Sequence, residues 1–401
     1  MQSTDTEIGC ARIEVNVKKL CYKVETRKTE TERAWIEINM ENLRHNVKIL
    51  KKAMQPGCEL MAVVKAEAYG HGAVSIAAHL NKIGVMAFAV ATIEEGIKLR
   101  KYGICGEILI LGYTGVHRAF ELKKYDLTQT LISFEYAKAL NEQKVVVKAH
   151  MKVDTGMHRL GIPCEDALAA RQVFSMKNLS VCGIYTHLCC SDSRRPEDVS
   201  FTKRQIDSFY GFIKDLEKNG VQIPKVHIQS SYGLLNYPEL VCDYARIGIA
   251  LYGVLSSPDD NTVLNLDLRP VLTLKSRIVL IREVKKGDSI GYGRSFIAGR
   301  RTRIAILPVG YGDGFPRNLS NGNSFVWING QVASIVGRVC MDQLAVDITD
   351  VENVYVGNVV TLIGAEGDQR VSAPVVAGNS GSISNELLCR MGARLPVIAK
   401  S

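Results

Sequence analysis

At 401 residues the chain exceeds what one compact core holds and suits two domains. Its 46% hydrophobic and 23% charged content is ordinary for a soluble globular protein. The net charge of +9 is scattered, without the block of five or six basic residues that marks a nucleic-acid surface, and gives at most a mild bias toward anionic small molecules.

Residues 1–33 hold 13 charged side chains and no apolar h-region, and read as a charged lead-in or linker. No run of 18 apolar residues follows, so this chain is not expected to span a membrane. Eleven cysteines, an odd number without a C-x-x-C pair, read as reduced cytosolic thiols rather than a disulfide framework.

From Trp35 to about Gly253 short apolar runs alternate with helix-period stretches. The runs lie at 61–66, 86–92, 107–112, 127–133, 148–154, 181–188, 225–231 and 245–253. Helical spacing falls between them, at 93–101, 134–143, 165–176 and 198–218. Eight near-continuous apolar strands with helices between them predict a (β/α)8 barrel over residues 34–264. From about Leu272 the pattern changes to strands separated by turn signals, with a hairpin marked by Asn329-Gly330. Residues 265–401 are therefore expected to form a mostly β domain with a short helix at 384–391.

A barrel of this kind carries its active site at the C-terminal ends of the strands. Those ends hold Lys65, Lys152 with Arg159, His187, Ser230 with Ser231, and Arg246 with Gly248. A lysine ending a buried strand either snorkels to solvent or is desolvated, which lowers its pKa and suits a carbonyl-binding amine. Ser230-Ser231 and Gly248 offer hydroxyls and accessible backbone amides for a phosphate, although a polar turn explains the serines alone. His187 alone would pass for a satisfied core histidine. Together these groups point to pyridoxal 5′-phosphate.

Several segments resemble the signatures of alanine racemases: Lys65-Ala66-Glu67-Ala68-Tyr69-Gly70-His71-Gly72, 152–161 (KVDTGMHRLG), Arg246-Ile247-Gly248-Ile249, Gly291-Tyr292-Gly293, 309–314 (VGYGDG) and 337–342 (GRVCMD). The resemblance runs from about Arg33 to the C-terminus in the family's order. It implies a homodimer with composite active sites and a two-base racemisation. Lys65 would bind the cofactor covalently and act as one base, and Tyr292 of the partner subunit as the other. Tyrosine is a poor base at its free pKa near 10, and the family supplies help from His187 and, through it, Arg246. Arg246 would also face the pyridine nitrogen and Arg159 the phenolic oxygen. Tyr69, Ser231, Gly248 and Ile249 would hold phosphate. Arg159, Met341, Asn385 and Tyr311 would border the substrate. In relatives a lysine at the position of Lys152 can be carbamylated; the plain alternative is an ion pair with Asp154.

Two positions depart from the family pattern. Glu67 stands where aspartate or asparagine is common, with little effect expected. Asn385 stands where alanine racemases carry a tyrosine, which leaves space and an amide for a serine hydroxyl. That feature resembles the racemase domain of the vancomycin-resistance serine racemases. It implies interconversion of L- and D-serine and of L- and D-alanine for peptidoglycan precursors. The location implied is cytoplasmic, or tethered to the cytoplasmic membrane face through an N-terminal domain absent from this chain. A plain alanine racemase, a non-catalytic cofactor carrier and a basic amino-acid decarboxylase are the alternatives. Arg246 argues against the last, which needs a carboxylate at the pyridine nitrogen. No metal site is expected: His187, Cys189, Cys190 and Asp192 lack the ligand spacing of zinc motifs.

Overall fold

The computed structural model describes residues 32–366, 369–392 and 394–400. After strand β1 (Ala34–Asn39) and a helix over Met40–Ala53 come eight parallel strands. They are β2 (Glu59–Val63), β3 (Ala87–Val90), β4 (Glu107–Ile110), β5 (Thr128–Leu131), β6 (Val147–Asp154), β7 (Leu179–Tyr185), β8 (Lys225–His227) and β9 (Tyr244–Ile247). The order β9-β2-β3-β4-β5-β6-β7-β8 is that of a barrel, matching the expected architecture. Backbone bonds from Asp243 N to Val226 O (2.7 Å) and from Arg246 N to Gln229 O (3.0 Å) draw its last two strands together.

Two expected runs are cut to less than half their length as strands. In 225–231 the strand stops at His227 because Ser230 caps a helix over Ser231–Asn236, its hydroxyl accepting from Gly233 N at 3.3 Å. In 245–253 it stops at Ile247, and Ile249–Tyr252 turn into a 3₁₀ helix. Both breaks lie at the barrel mouth, where backbone amides are turned toward the cavity.

The second domain contains β10 (Leu272–Arg277), β11 (Leu280–Val284), β12 (Thr302–Leu307), β13 (Phe325–Ile328), β14 (Gln331–Val336), β15 (Leu344–Asp347), β16 (Val359–Glu366), β17 (Gln369–Val371) and β18 (Val397–Lys400). Asn329 and Gly330 turn between β13 and β14 at φ 52° and 76°, as their pairing signal predicts. The expected helix forms over Ser384–Cys389. One boundary needs correction. The barrel domain was expected to begin at residue 34, yet β1 belongs to the second sheet, antiparallel to β10 and parallel to β18. Glu37 suits that place, because Lys275 (3.2 Å) and Lys400 (2.7 Å) reach its carboxylate from the two neighbouring strands.

The segment behind Lys65 is conformationally unusual. Ala66, Glu67, Ala68 and Tyr69 all lie in the left-handed helical region, with φ between 51° and 54°. Each such residue costs roughly 1–2 kcal/mol when it has a Cβ, so the turn persists only where its surroundings hold it. Glu95 does so from the next helix start, accepting from Ala66 N at 2.7 Å and from Ala91 N at 2.7 Å. Glu67 accepts from Ala73 N at 3.2 Å and pairs with Lys98, an outward role that leaves Lys65 and Tyr69 in place. Gly70 follows at φ 79°, and a Cβ there would lie 2.1 Å from Leu388 O. Gly70→Ala should therefore cost about 2–4 kcal/mol of unfolding free energy. Equilibrium denaturation measures it, and a change below about 0.5 kcal/mol, the range of neutral surface substitutions, would contradict this packing.

Candidate functional site

A cavity of about 480 Å³ opens at the C-terminal ends of the barrel strands. Lys65, Tyr69, Arg159, His187, Ser231, Arg246, Gly248, Ile249 and Asn385 all border it, as does Lys152. Four cations thus face one carboxylate, that of Asp192. The space is built for an anion.

One end of the cavity has the makings of a phosphate cradle. The Ser231 hydroxyl accepts from Gly248 N at 3.1 Å and from Ala250 N at 3.3 Å. A Cβ on Gly248 would lie 2.6 Å from the Tyr69 hydroxyl, so glycine lets that phenol reach the same spot. Tyr69 packs against Tyr252, with ring centroids 5.1 Å apart, and burial pushes its phenol well above the ordinary range, keeping it a neutral donor.

At the other end sit the basic groups. Burial lowers the Lys65 amine, and the Arg159 charge lowers it further. Arg246 is buried across the mouth. Its guanidinium donates to Thr186 O (2.7 Å), to His227 Nδ1 (3.0 Å) and to His187 Nδ1 (3.3 Å), and lies 4.9 Å from the Tyr185 ring centroid. Burial pulls it down to about 10, far enough above neutrality to leave it charged. His187 is pushed down to about 3 by burial and then by Arg246, so its imidazole is neutral.

Lys152 does not pair with Asp154 as the plain alternative supposes. Its amine donates to Leu160 O at 2.6 Å, while Asp154 accepts from the amides of Gly156, Met157 and His158. Burial, assisted by Arg246 and Arg159 against the pull of Asp154, brings Lys152 down to about 8.

Asn385 lies on the opposite wall, its Oδ1 accepting from the Ser256 hydroxyl at 2.7 Å. Tyr292, Tyr311 and Met341 do not border this cavity. They sit on the second domain, 69%, 42% and 52% exposed. Tyr311 instead borders a separate hollow with Arg317, Glu386 and Arg390. Its loop rests on the 340–341 backbone, with Tyr311 N donating to Cys340 O and Gly312 N to Met341 O. Asp313, fully buried, ties that loop to Arg33 and Arg394.

Sequence reasoning missed Glu95, Tyr252, Ser256 and His227. Glu95 left a trace, since Thr92-x-x-Glu95 is a capping-box spacing, and the box forms. Its second role at Ala66 left none. Among the described residues no helix is long and apolar enough to cross a membrane, and His187, Cys189, Cys190 and Asp192 do not converge as metal ligands.

The shifted Lys152 amine makes a pH prediction. Its folded value, about 8, lies below the unfolded 10.5, so between them the unfolded chain binds the extra proton and stability rises with pH. The stability difference between wild type and Lys152→Met should move in favour of wild type by roughly 1.4 kcal/mol per pH unit over that window. Denaturant midpoints at several pH values measure it; a flat difference would mean that the amine titrates normally.

Comparison with known proteins bears on the whole of this arrangement. The alanine racemase N-terminal domain family matches residues 38–256, and the alanine racemase C-terminal domain family matches residues 271–399. An amino-acid racemase of Enterococcus faecalis is 55% identical over 93% of the chain and 52% of its own length. A serine/alanine racemase of Enterococcus gallinarum is 39% identical over 92% of the chain and 51% of its own length. The chain thus spans about half the length of these two curated relatives. The solved structure of alanine racemase from Clostridium difficile 630 superposes with a TM-score of 0.85 at 35% identity, covering 92% of this chain and 96% of that one.

Proposed function

The chain belongs to the alanine racemase family of pyridoxal 5′-phosphate enzymes, and on that premise we propose that it interconverts the L and D forms of serine and of alanine. The observation that carries the cofactor's place is the cavity's charge: four cations, one carboxylate, and a glycine that opens the Ser231–Tyr69 corner to a phosphate. Lys65 would hold the cofactor, Arg246 would face its ring nitrogen, Arg159 its phenolic oxygen, and Tyr69, Ser231, Gly248 and Ile249 its phosphate. When bound, the cofactor supplies an electron-withdrawing ring that acidifies the substrate's Cα–H.

The chain's own residues then move the proton. Racemisation needs a group on each face of Cα, one to take the proton and one to return it. The Lys65 amine, lowered by burial, serves one face. The Tyr292 hydroxyl serves the other, from the partner subunit, because in its own chain it stands exposed and away from the cavity. Met341 and Tyr311 would arrive from the same partner surface, with the Met341 N–H toward the substrate carboxylate. His187 and Arg246, in contact at 3.3 Å, would support the tyrosine as the base it is not by itself. The product would be a D-amino acid of the kind used in peptidoglycan precursors, made in the cytoplasm; a part in vancomycin resistance belongs to this proposal too.

Serine selection rests on Asn385. Ser256 occupies the amide oxygen, so the amide's N–H would be the side left to meet a substrate hydroxyl. A pocket that hydrogen-bonds a hydroxyl can prefer it, whereas one that only leaves room discriminates weakly.

Rates for serine and alanine in both directions, for wild type and for Asn385→Tyr, test the function. Wild type should racemise both, and the tyrosine should lower kcat/KM for serine about ten-fold or more while sparing alanine. A wild type inert on both amino acids would defeat the racemase, and an unchanged serine-to-alanine ratio would remove Asn385 as selector. Mixing Lys65→Ala with Tyr292→Phe chains tests the composite site. Random pairing should restore about a quarter of wild-type activity, since half the dimers regain one intact site. No recovery, in mixtures proven to exchange subunits, would place both bases in one chain.

A further inference from the structure

The barrel's bore holds a column of buried polar groups that begins at Arg246 and leaves the cavity behind. Arg246 Nη1 reaches His227 Nδ1 at 3.0 Å, and His227 Nε2 reaches His150 Nδ1 at 3.0 Å. His150 Nε2 lies 2.7 Å from Glu107 Oε1. At the far end of the barrel, Glu107 Oε2 accepts from the Tyr244 hydroxyl at 2.9 Å, and Lys225 donates to that phenol at 2.5 Å. Both imidazoles are fully buried. The wall is shaped around them: β7 shifts register beside His150, and a Cβ on Gly183 would lie 2.4 Å from that ring. Tyr185 stacks on His227 with centroids 4.6 Å apart.

The direction of the column follows from its first member. A guanidinium only donates, so His227 Nδ1 accepts and its proton sits on Nε2. That proton is donated to His150 Nδ1, which places the His150 proton on Nε2, 2.7 Å from Glu107 Oε1 in a close charge contact that is not lined up as a hydrogen bond. A carboxylate is the acceptor this last donor requires, so both ends impose the same polarity. Burial, then Arg246 and His150, hold His227 well below the usual histidine range, as a neutral link demands. Glu107 is lowered despite its burial, with His150 the largest favourable cause.

Arg246 needs such a partner. Among the described residues its hydrogen bonds go to two backbone carbonyls, Thr186 O and Ile228 O, and to two imidazoles, with no carboxylate in contact. A buried charge without compensation is costly. We propose that Glu107, acting through His150 and His227, is the counter-charge and positioning group of Arg246: a one-way relay with two hydrogen bonds from Arg246 to His150, completed by the close charge contact of His150 with Glu107. The proposal rests on the racemase reading for its catalytic consequence and on the geometry alone for its direction. Glu107 and His150, with Cys182, also place ligand atoms within 4.8 Å of one another, a spacing that could hold a metal ion. A metal there would need His150 Nε2 bare, whereas the relay puts a proton on it. The two exclude each other.

Glu107→Gln separates charge from shape, since its amide oxygen still faces His150. In the holoenzyme it should lower kcat about ten-fold or more while KM for the amino acid stays within about two-fold, the signature of a group acting on the transition state. In wild-type holoenzyme labelled with ¹⁵N-histidine, His150 and His227 should both be neutral Nε2–H tautomers at neutral pH. An unchanged kcat in Glu107→Gln, an Nδ1–H or charged ring at either position, or a stoichiometric metal in purified wild type would overturn the relay. If Glu107→Gln does not fold, the wild-type spectra and metal content decide. The expected tautomers in a wild type that racemises nothing would support the relay while sinking the racemase reading, so the two failures remain distinct.

Discussion

A left-handed turn of four residues with side chains is the constraint around which this active-site region is organised. Such a turn cannot stand alone. Three separate parts of the chain meet to hold it: Glu95 from the first turn of the helix after β3, Tyr252 from the segment after β9, and Leu388 from the helix of the second domain. Lys65 leads into this turn and Tyr69 ends it, so the amine and the phenol that both border the cavity are placed by one local conformation. The helix that presses on Gly70 also carries Asn385. The cavity wall at Asn385 and the Lys65 turn are therefore one packed unit, contributed by both domains.

Electrostatics reinforce that placement. Burial lowers the Lys65 and Lys152 amines, and nearby guanidinium charges lower them further, Arg159 acting on both and Arg246 on Lys152. An anion bound among these charges would relieve that repulsion. The interior below differs from the branched apolar filling usual in such barrels. Thr130, His150, Tyr185, His227 and Arg246 form a polar column there, paired as Thr130–Tyr185, His150–His227 and His227–Arg246.

The barrel was legible because eight buried parallel strands leave eight apolar runs, and that signal survives even where Ser230 and Gly248 shorten the strands. Lys65, Arg159, His187, Ser231 and Arg246 were legible by position at strand ends, and the cavity brings them together. The placement of β1 was not. An isolated apolar run carries no mark of the sheet it joins, and its partners Leu272–Arg277 and Val397–Lys400 are distant in sequence. His150 and His227 were hidden among the other polar residues of runs 148–154 and 225–231, where spacing alone does not mark which of them meet inside the bore. The paths of Tyr292 and Met341 were legible as motifs, and it is their exposure in the fold that turns a second subunit into a structural requirement of the proposed chemistry.

The position of β1 has a consequence for how the molecule is born. Its strand lies between β10 and β18, and Asn39 N bonds to Val271 O where the chain leaves the barrel. The barrel is therefore an insertion in the sheet domain, not its neighbour along the chain. During synthesis Ala34–Asn39 emerges before the barrel, with Trp35, Ile36 and Ile38 ready to be buried, but the strands that bury them are made only after it. The intervening barrel, once folded, brings the two edges of the gap together and removes most of the loop-closure penalty. Until then this segment is an unpaired apolar strand on a nascent chain, the place where a chaperone would have most to shield and where premature association would start.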